Sequence, residues 1–205
     1  MCKLMKRIVV SFIFVWIALP TFLFAEIPGN YELIVPHVPP AARSLDKVII
    51  VEVFAFDCVH CYHFNRDLYP KLKKKFGDKL ALDAKPIGWR GHDPGRLYFI
   101  AKNENKGHEV MLTIFELIFE GGLREQMFSR DKLQFVAQRH GLLEAFKTQM
   151  DSPRIVGQMN QSIQYAKSRN INSTPTLVIE DAIMPVRTYS NLVTIINALL
   201  KEPVE

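Results

Sequence analysis

Val48 to Phe56 is apolar without a break except for Glu52, and Cys58 and Cys61 follow at once at the head of a segment with helical periodicity. Few architectures accept such a junction. A short continuous run rich in Val, Ile and Phe is the mark of a strand buried on both faces, because a sheet with one wet face would alternate apolar and polar residues instead. Behind the cysteines, Phe64, Leu68, Leu72 and Phe76 recur at helical spacing and Gly77 stands where a stop is expected, so one helix is predicted over Cys58 to Phe76. Lys71, Lys73, Lys74 and Lys75 crowd its last turns, where positive charge suits the dipole, and read as a solvated helix end. Leu80 to Trp89 is a second strand candidate, and strand, helix, strand makes a βαβ unit with parallel strands.

From Pro94 to about Arg169 the pattern is helical throughout. Val110, Ile114, Leu117 and Ile118 form one stripe; Ser129 precedes a run with Leu133, Val136 and Ala137 that stops at Gly141; Ser152 and Pro153 form a cap and first-turn pair for a last helix to Arg169. Thr176 to Glu180 and Ile183 to Arg187 then read as a strand pair joined through Asp181, and Ser190 as the cap of a final helix with Leu192, Ile195, Ile196, Leu199 and Leu200. The fold class is therefore α/β, in the order βαβ, helices, ββα. Residues 47–92 and 170–205 form one sheet domain, with 93–169 inserted as a helical domain. Residues 26–46, with five Gly and Pro positions among them, read as an extended arm carrying one short strand near Tyr31 to Val35.

Ahead of the arm, Lys3, Lys6 and Arg7 precede an apolar stretch from Ile8 to Phe24 that ends at Ala25. Residues 1–25 thus read as an export signal, with an uncleaved membrane anchor as the alternative. Pro20 favours cleavage, while Leu23 is larger than the small residue usual three positions before a cut. The chain of 205 residues carries a formal charge of +5, and without the three leader basics 23 remain against 21 acids, so a nucleic-acid partner is not indicated. Removing the leader also removes Cys2. That leaves one C-x-x-C pair in an oxidising compartment, and a bridge closing so short a loop restrains the unfolded chain very little, so its use is chemical rather than structural.

The position of the pair explains its spacing. At i and i+3 on a first helical turn the two sulfurs face each other, and a disulfide closes with little backbone movement. The Cys58 sulfur lies beside free backbone N–H groups and the positive end of the helix dipole, which favours its thiolate and makes it both nucleophile and leaving group. Cys61, one turn further in, is shielded and acts on what Cys58 holds. His60, if it points toward Cys58, adds to the stabilisation of the anion and so makes the disulfide a stronger oxidant. Cys58, His60, Cys61 and His63 are also four candidate metal ligands, which leaves a metal chaperone as an alternative, but they crowd one helical turn and no second C-x-x-C or H-x-H exists elsewhere. Tyr62 after Cys61 does not suggest haem attachment, and His63 reads as a surface histidine.

These residues resemble the thioredoxin superfamily and, within it, the DsbA-like thiol:disulfide oxidoreductases. The stretch from Glu52 through Cys58, His60, Cys61 and Tyr62 to Phe64 is similar to the family's strand, active-site dipeptide and helix start; Ser173, Thr174, Pro175 and Thr176 are similar to its cis-proline loop. The resemblance covers nearly the whole chain after the leader, and the inserted helices favour the DsbA branch over plain thioredoxin. It implies a thioredoxin-like fold with no cofactor beyond the Cys58–Cys61 disulfide. It implies a cis Pro175 against the sulfurs, Thr174 main-chain groups pairing with an extended substrate, and a buried Glu52 that moves the proton of Cys61. Implied partners are exported proteins with free thiols and a membrane protein, DsbB-like for reoxidation or DsbD-like for reduction, in the periplasm. Oxidase is the first reading and reductase or isomerase the second; isomerases of this kind usually add a dimerisation domain, for which residues 26–46 are too short. Val59 stands where the best-known relatives have proline, and Asn65 and Arg66 where they often carry acids, so the potential and the proton path are this chain's own.

Overall fold

The computed structural model describes residues 27–34 and 45–200; the leader and most of the arm lie outside them. Five strands form one sheet in the order β1, β5, β4, β2, β3. Strand β2 (Val48–Phe54) runs parallel to β3 (Leu80–Pro86), with Glu52 level with Ala84, and antiparallel to β4 (Thr176–Ile179). Strand β5 (Ile183–Pro185) joins β4 to the edge strand β1 (Tyr31–Leu33), antiparallel to both. Burial on both faces of β2 is as its composition demands: Val48 and Ile50 enter one apolar cluster, while Val51 and Val53 on the opposite face pack near Tyr165 and Ile171. Only Ile49 is exposed along it. Phe56, placed at the end of this strand by its pattern, lies beyond it in a turn but stays buried.

The expected single helix over Cys58 to Phe76 is three pieces: α1 (Val59–His63), a π-helical turn (Phe64–Leu68) and α2 (Tyr69–Phe76). Pro70 supplies a physical reason. It has no N–H to give the carbonyl four residues back and its ring crowds that carbonyl, and just ahead of it the ladder widens so that the Tyr69 N–H bonds the Phe64 carbonyl. Apolar periodicity alone is blind to this change. The helix does end at Gly77, whose φ of 55° is in the left-handed region.

The inserted helices are α3 (Asp93–Asn103), α4 (Gly107–Phe119), α5 (Arg130–Arg139), α6 (Leu143–Gln149) and α7 (Pro153–Ser168). The Ser152 hydroxyl accepts the Ile155 N–H as expected, whereas Ser129 sits at its cap position but turns its hydroxyl back to the Gln126 carbonyl. The core shared by these helices and the sheet centres on Phe115, whose ring lies 5.3 to 6.2 Å from those of Phe54, Phe56, Tyr62 and Phe119. Helix α8 (Tyr189–Leu199) closes the other core, and its cap is Thr188, not Ser190. The Thr188 hydroxyl accepts the Asn191 N–H, which leaves Ser190 inside the first turn.

The β4–β5 connection, residues 180–182, is closed by the Ala182 N–H donating to the Ile179 carbonyl at 3.1 Å, with Ile179 level with Ile183, and turns through Glu180 and Asp181, both at positive φ. Neither is glycine, and both side chains are tied down: Glu180 accepts the Ile49 N–H at 2.8 Å, and Asp181 accepts from Tyr165 and Arg169 at 2.7 and 3.0 Å. Strand β1 docks on α8 through Asn191, which accepts the Asn30 N–H at 2.7 Å and donates to the Asn30 carbonyl at 2.8 Å. Gly29 allows that approach, since a Cβ there would lie 2.7 Å from the Ile195 side chain.

Candidate active site

Strand β2 ends by delivering Cys58 to the N-cap of α1, with extended backbone angles of −96° and 108°. The cap geometry is the reason for the chemistry: a side chain there meets the unpaired N–H groups of the first turn. The Cys61 N–H donates to the Cys58 sulfur at 3.2 Å. The Cys58 thiol is lowered from 9.0 to about 6, chiefly by the hydrogen bond from the Cys61 thiol, then by the Thr174 side chain and the backbone N–H groups of Cys61 and His60, against the opposing effect of partial burial. Cys61 is fully buried and its thiol is pushed far above the ordinary range, first by desolvation, then by its bond to Cys58 and by the nearby Glu52 carboxyl. The two cysteines, both free thiols in this structure, are therefore unlike in charge and access.

His60 contributes to this anion through its backbone N–H; its ring is exposed beside a cavity of about 410 Å³ that also meets His63, Phe64, Leu68, Pro175 and Arg187. The Thr174–Pro175 peptide bond is cis, and Pro175 forms part of that cavity. A second groove of about 720 Å³ runs from Pro175 and Arg187 along β1 and the start of β4. Both hollows share Pro175 and Arg187, and Thr174, the residue before Pro175, bonds the Cys58 thiol through its side chain.

Glu52 points from β2 into the space beneath α1 and has no exposed surface. Desolvation pushes it from 4.5 up to about 8, aided by the charge of Cys58 and opposed by Asn65 and Arg187. Asn65 is the neighbour that sequence reasoning noticed only as a departure. The π turn carries it inward, where its Nδ2 donates to both Glu52 oxygens at 3.0 and 2.8 Å and to the Cys61 carbonyl at 3.0 Å. A signal was there to find, since Asn65 stands four residues after Cys61 on the same helix face. Arg187 was missed outright: its Nη1 donates to the Pro175 carbonyl and its charge acts on Glu52, a relation created wholly by strand packing. Arg66 turns outward instead, bonding Asp67 at 2.9 Å and Glu120 at 2.9 Å. Among the described residues no three His, Cys, Asp or Glu side chains are placed to hold a metal ion, so Cys58, His60, Cys61 and His63 are not gathered into a cluster.

A family model described as Thioredoxin covers residues 45–198. The chain belongs to the thioredoxin superfamily, in its DsbA-like branch. It is 28% identical over 153 residues to a thiol:disulfide interchange protein DsbA of Pseudomonas syringae pv. tomato, spanning 73% of this chain and 69% of that one. It is 24% identical to the disulfide bond formation protein D of Bacillus subtilis, over 71% and 69% of the two chains. Among solved structures, Pseudomonas aeruginosa DsbA superposes with a TM-score of 0.66 at 20% identity, covering 84% of this chain and 91% of that one, and DsbA of Xylella fastidiosa does so with 0.66 at 22%, covering 85% and 97%. The neighbours share the thioredoxin-like sheet with helices inserted, and the DsbA-like chain is a thiol:disulfide oxidoreductase.

Proposed function

We propose that this DsbA-like enzyme is an exported oxidase that passes the Cys58–Cys61 disulfide to folding proteins. A substrate thiolate attacks the Cys58 sulfur, the Cys58–Cys61 bond breaks, and Cys61 leaves and takes a proton from Glu52. A second substrate thiolate attacks the substrate sulfur of this mixed disulfide and expels Cys58 as a thiolate. The substrate gains a disulfide and the enzyme holds the two electrons, to be passed to a DsbB-like membrane protein. Thr174 and Pro175 line the approach of an extended substrate beside His60.

The observation that carries the reading is the low Cys58 thiol. A fall from 9.0 to about 6 makes the reduced form up to about tenfold more favourable at pH 7, or roughly 30 mV toward a stronger oxidant. The exported location rests on the pattern of residues 1–25, which lie outside the described residues; among those, no helix is long and apolar enough to cross a membrane. The test is equilibration with glutathione, together with oxidation of a reduced dithiol peptide by the disulfide form. The oxidase reading expects a potential well above the roughly −270 mV of thioredoxin and stoichiometric peptide oxidation. A potential at or below that value, with the cellular pair held as a dithiol, assigns reductase or isomerase work and a DsbD-like partner instead.

A further inference from the structure

Outside the sulfurs, the buried polar arrangement hardest to account for is Asn65. It has no exposed surface, its Nδ2 serves three oxygens, and its Oδ1 is buried with no partner. An orphaned acceptor in a packed core is costly, and native cores seldom keep one without use. Its neighbour Glu52 is the one group there that must alternate between carboxylate and carboxylic acid if it exchanges a proton with Cys61.

We propose that Asn65 is the positioning residue for Glu52 in both protonation states, its Nδ2 holding the carboxylate and its vacant Oδ1 accepting the acid proton. This rests on the exchange chemistry proposed above. As carboxylate, Glu52 takes the Nδ2 hydrogen between its two oxygens, which is the arrangement seen. When the Cys61 proton arrives, a small rotation about the Asn65 Cβ–Cγ bond makes a cyclic acid–amide pair: Nδ2 donates to the Glu52 carbonyl oxygen and the new O–H donates to Oδ1. The second Nδ2 hydrogen stays on the Cys61 carbonyl, so the acid remains anchored to the helix turn that carries the thiol. No atom is lost or gained beyond the proton passed between Cys61 and Glu52. An acid at position 65 satisfies Glu52 in this way only by bringing a further proton. The other charged or titratable groups acting on Glu52 are Cys58 and Cys61 from α1, Arg187 beyond β5 and Tyr98 on α3. None of them is hydrogen-bonded to the Glu52 carboxyl, whose side-chain partner among the described residues is Asn65.

The test is a titration of the reduced full chain by NMR, following the labelled Glu52 carboxyl carbon and the Asn65 side-chain NH2 together, in wild type, Asn65→Leu and Asn65→Asp. The Asn65 NH2 signals are expected to shift with the Glu52 midpoint. In Asn65→Leu the midpoint moves up by up to about one pH unit, because the bond lost by the ionised form is charge-assisted and outweighs the neutral ones lost by the acid. In Asn65→Asp it moves up and the two carboxyls titrate as a coupled pair. Asn65→Asp, nearly isosteric, carries the test if Asn65→Leu does not fold. Wild-type NH2 signals that stay flat through the Glu52 transition, or a midpoint unmoved in a folded variant, overturn the proposal. Peptide oxidation by the wild-type disulfide form, run alongside, tells a failure of the exchange reading from a failure of the Asn65 role, since the Glu52 titration is read without turnover.

Discussion

Replacing Glu52 with glutamine removes one proton site from the core while keeping its shape. The acid has no exposed surface and stands at about 8 in the folded chain against 4.5 unfolded. Below pH 4.5 both states hold the proton and the site is indifferent to folding. Between 4.5 and 8 the unfolded carboxyl is ionised while the folded one keeps its proton, so stability falls as pH rises through that window. At 1.36 kcal/mol per unit the loss reaches about 3 kcal/mol by pH 7 and about 5 kcal/mol above pH 8. Glu52→Gln escapes this loss, and its amide pairs with both ends of the Asn65 amide. Urea unfolding of the reduced proteins across that range is expected to give nearly equal stabilities at pH 4.5 and a lead of about 3 kcal/mol for the variant at pH 7. Parallel curves for the two proteins refute the reasoning, for they mean that Glu52 ionises in the fold as freely as in the unfolded chain. Under the proposed exchange the same variant lacks the acid that passes a proton to Cys61, so gained stability is expected beside slowed peptide oxidation.

Two further substitutions probe separate links. Thr174→Val deletes a group that favours the Cys58 thiolate, so its thiol is expected to rise from about 6 by up to about one unit, and equilibration with glutathione moves a few-fold toward the disulfide; ultraviolet thiolate absorbance against pH checks it. Phe115→Ala empties the centre of the aromatic cluster between sheet and helices, and urea unfolding is expected to show a loss of about 3 to 5 kcal/mol with residual exchange chemistry in the folded fraction.

Much of the architecture was legible because its signals are local. Val48 to Phe54 is apolar on both faces since both faces are covered, and Ser152 with Pro153 opens α7 as that pair should. The unequal cysteines follow from position alone, one at a helix cap and one a turn inside. The misses share a cause, which is that they depend on contacts between distant segments or on a competing local bond. Thr188 outcompetes Ser190 because the chain leaving β5 turns one residue pair sooner than the apolar stripe suggests. The π turn is a response to Pro70 inside a helix whose apolar spacing looks regular. Arg187 meets Pro175 through the pairing of β4 with β5, and no spacing along the chain foretells which carbonyl it finds. His60 shows the limit from the other side: spacing places the residue beside Cys58, while the group that bonds the sulfur is its backbone N–H and the ring is exposed.

Alkylation of the reduced protein with iodoacetamide across pH, with each cysteine quantified by mass, bears most directly on the asymmetry between the two thiols. The account predicts modification of Cys58 with a midpoint near pH 6 while Cys61 stays unmodified until the protein unfolds. Equal labelling of both cysteines, with a shared midpoint near the 9.0 of an ordinary thiol, contradicts it.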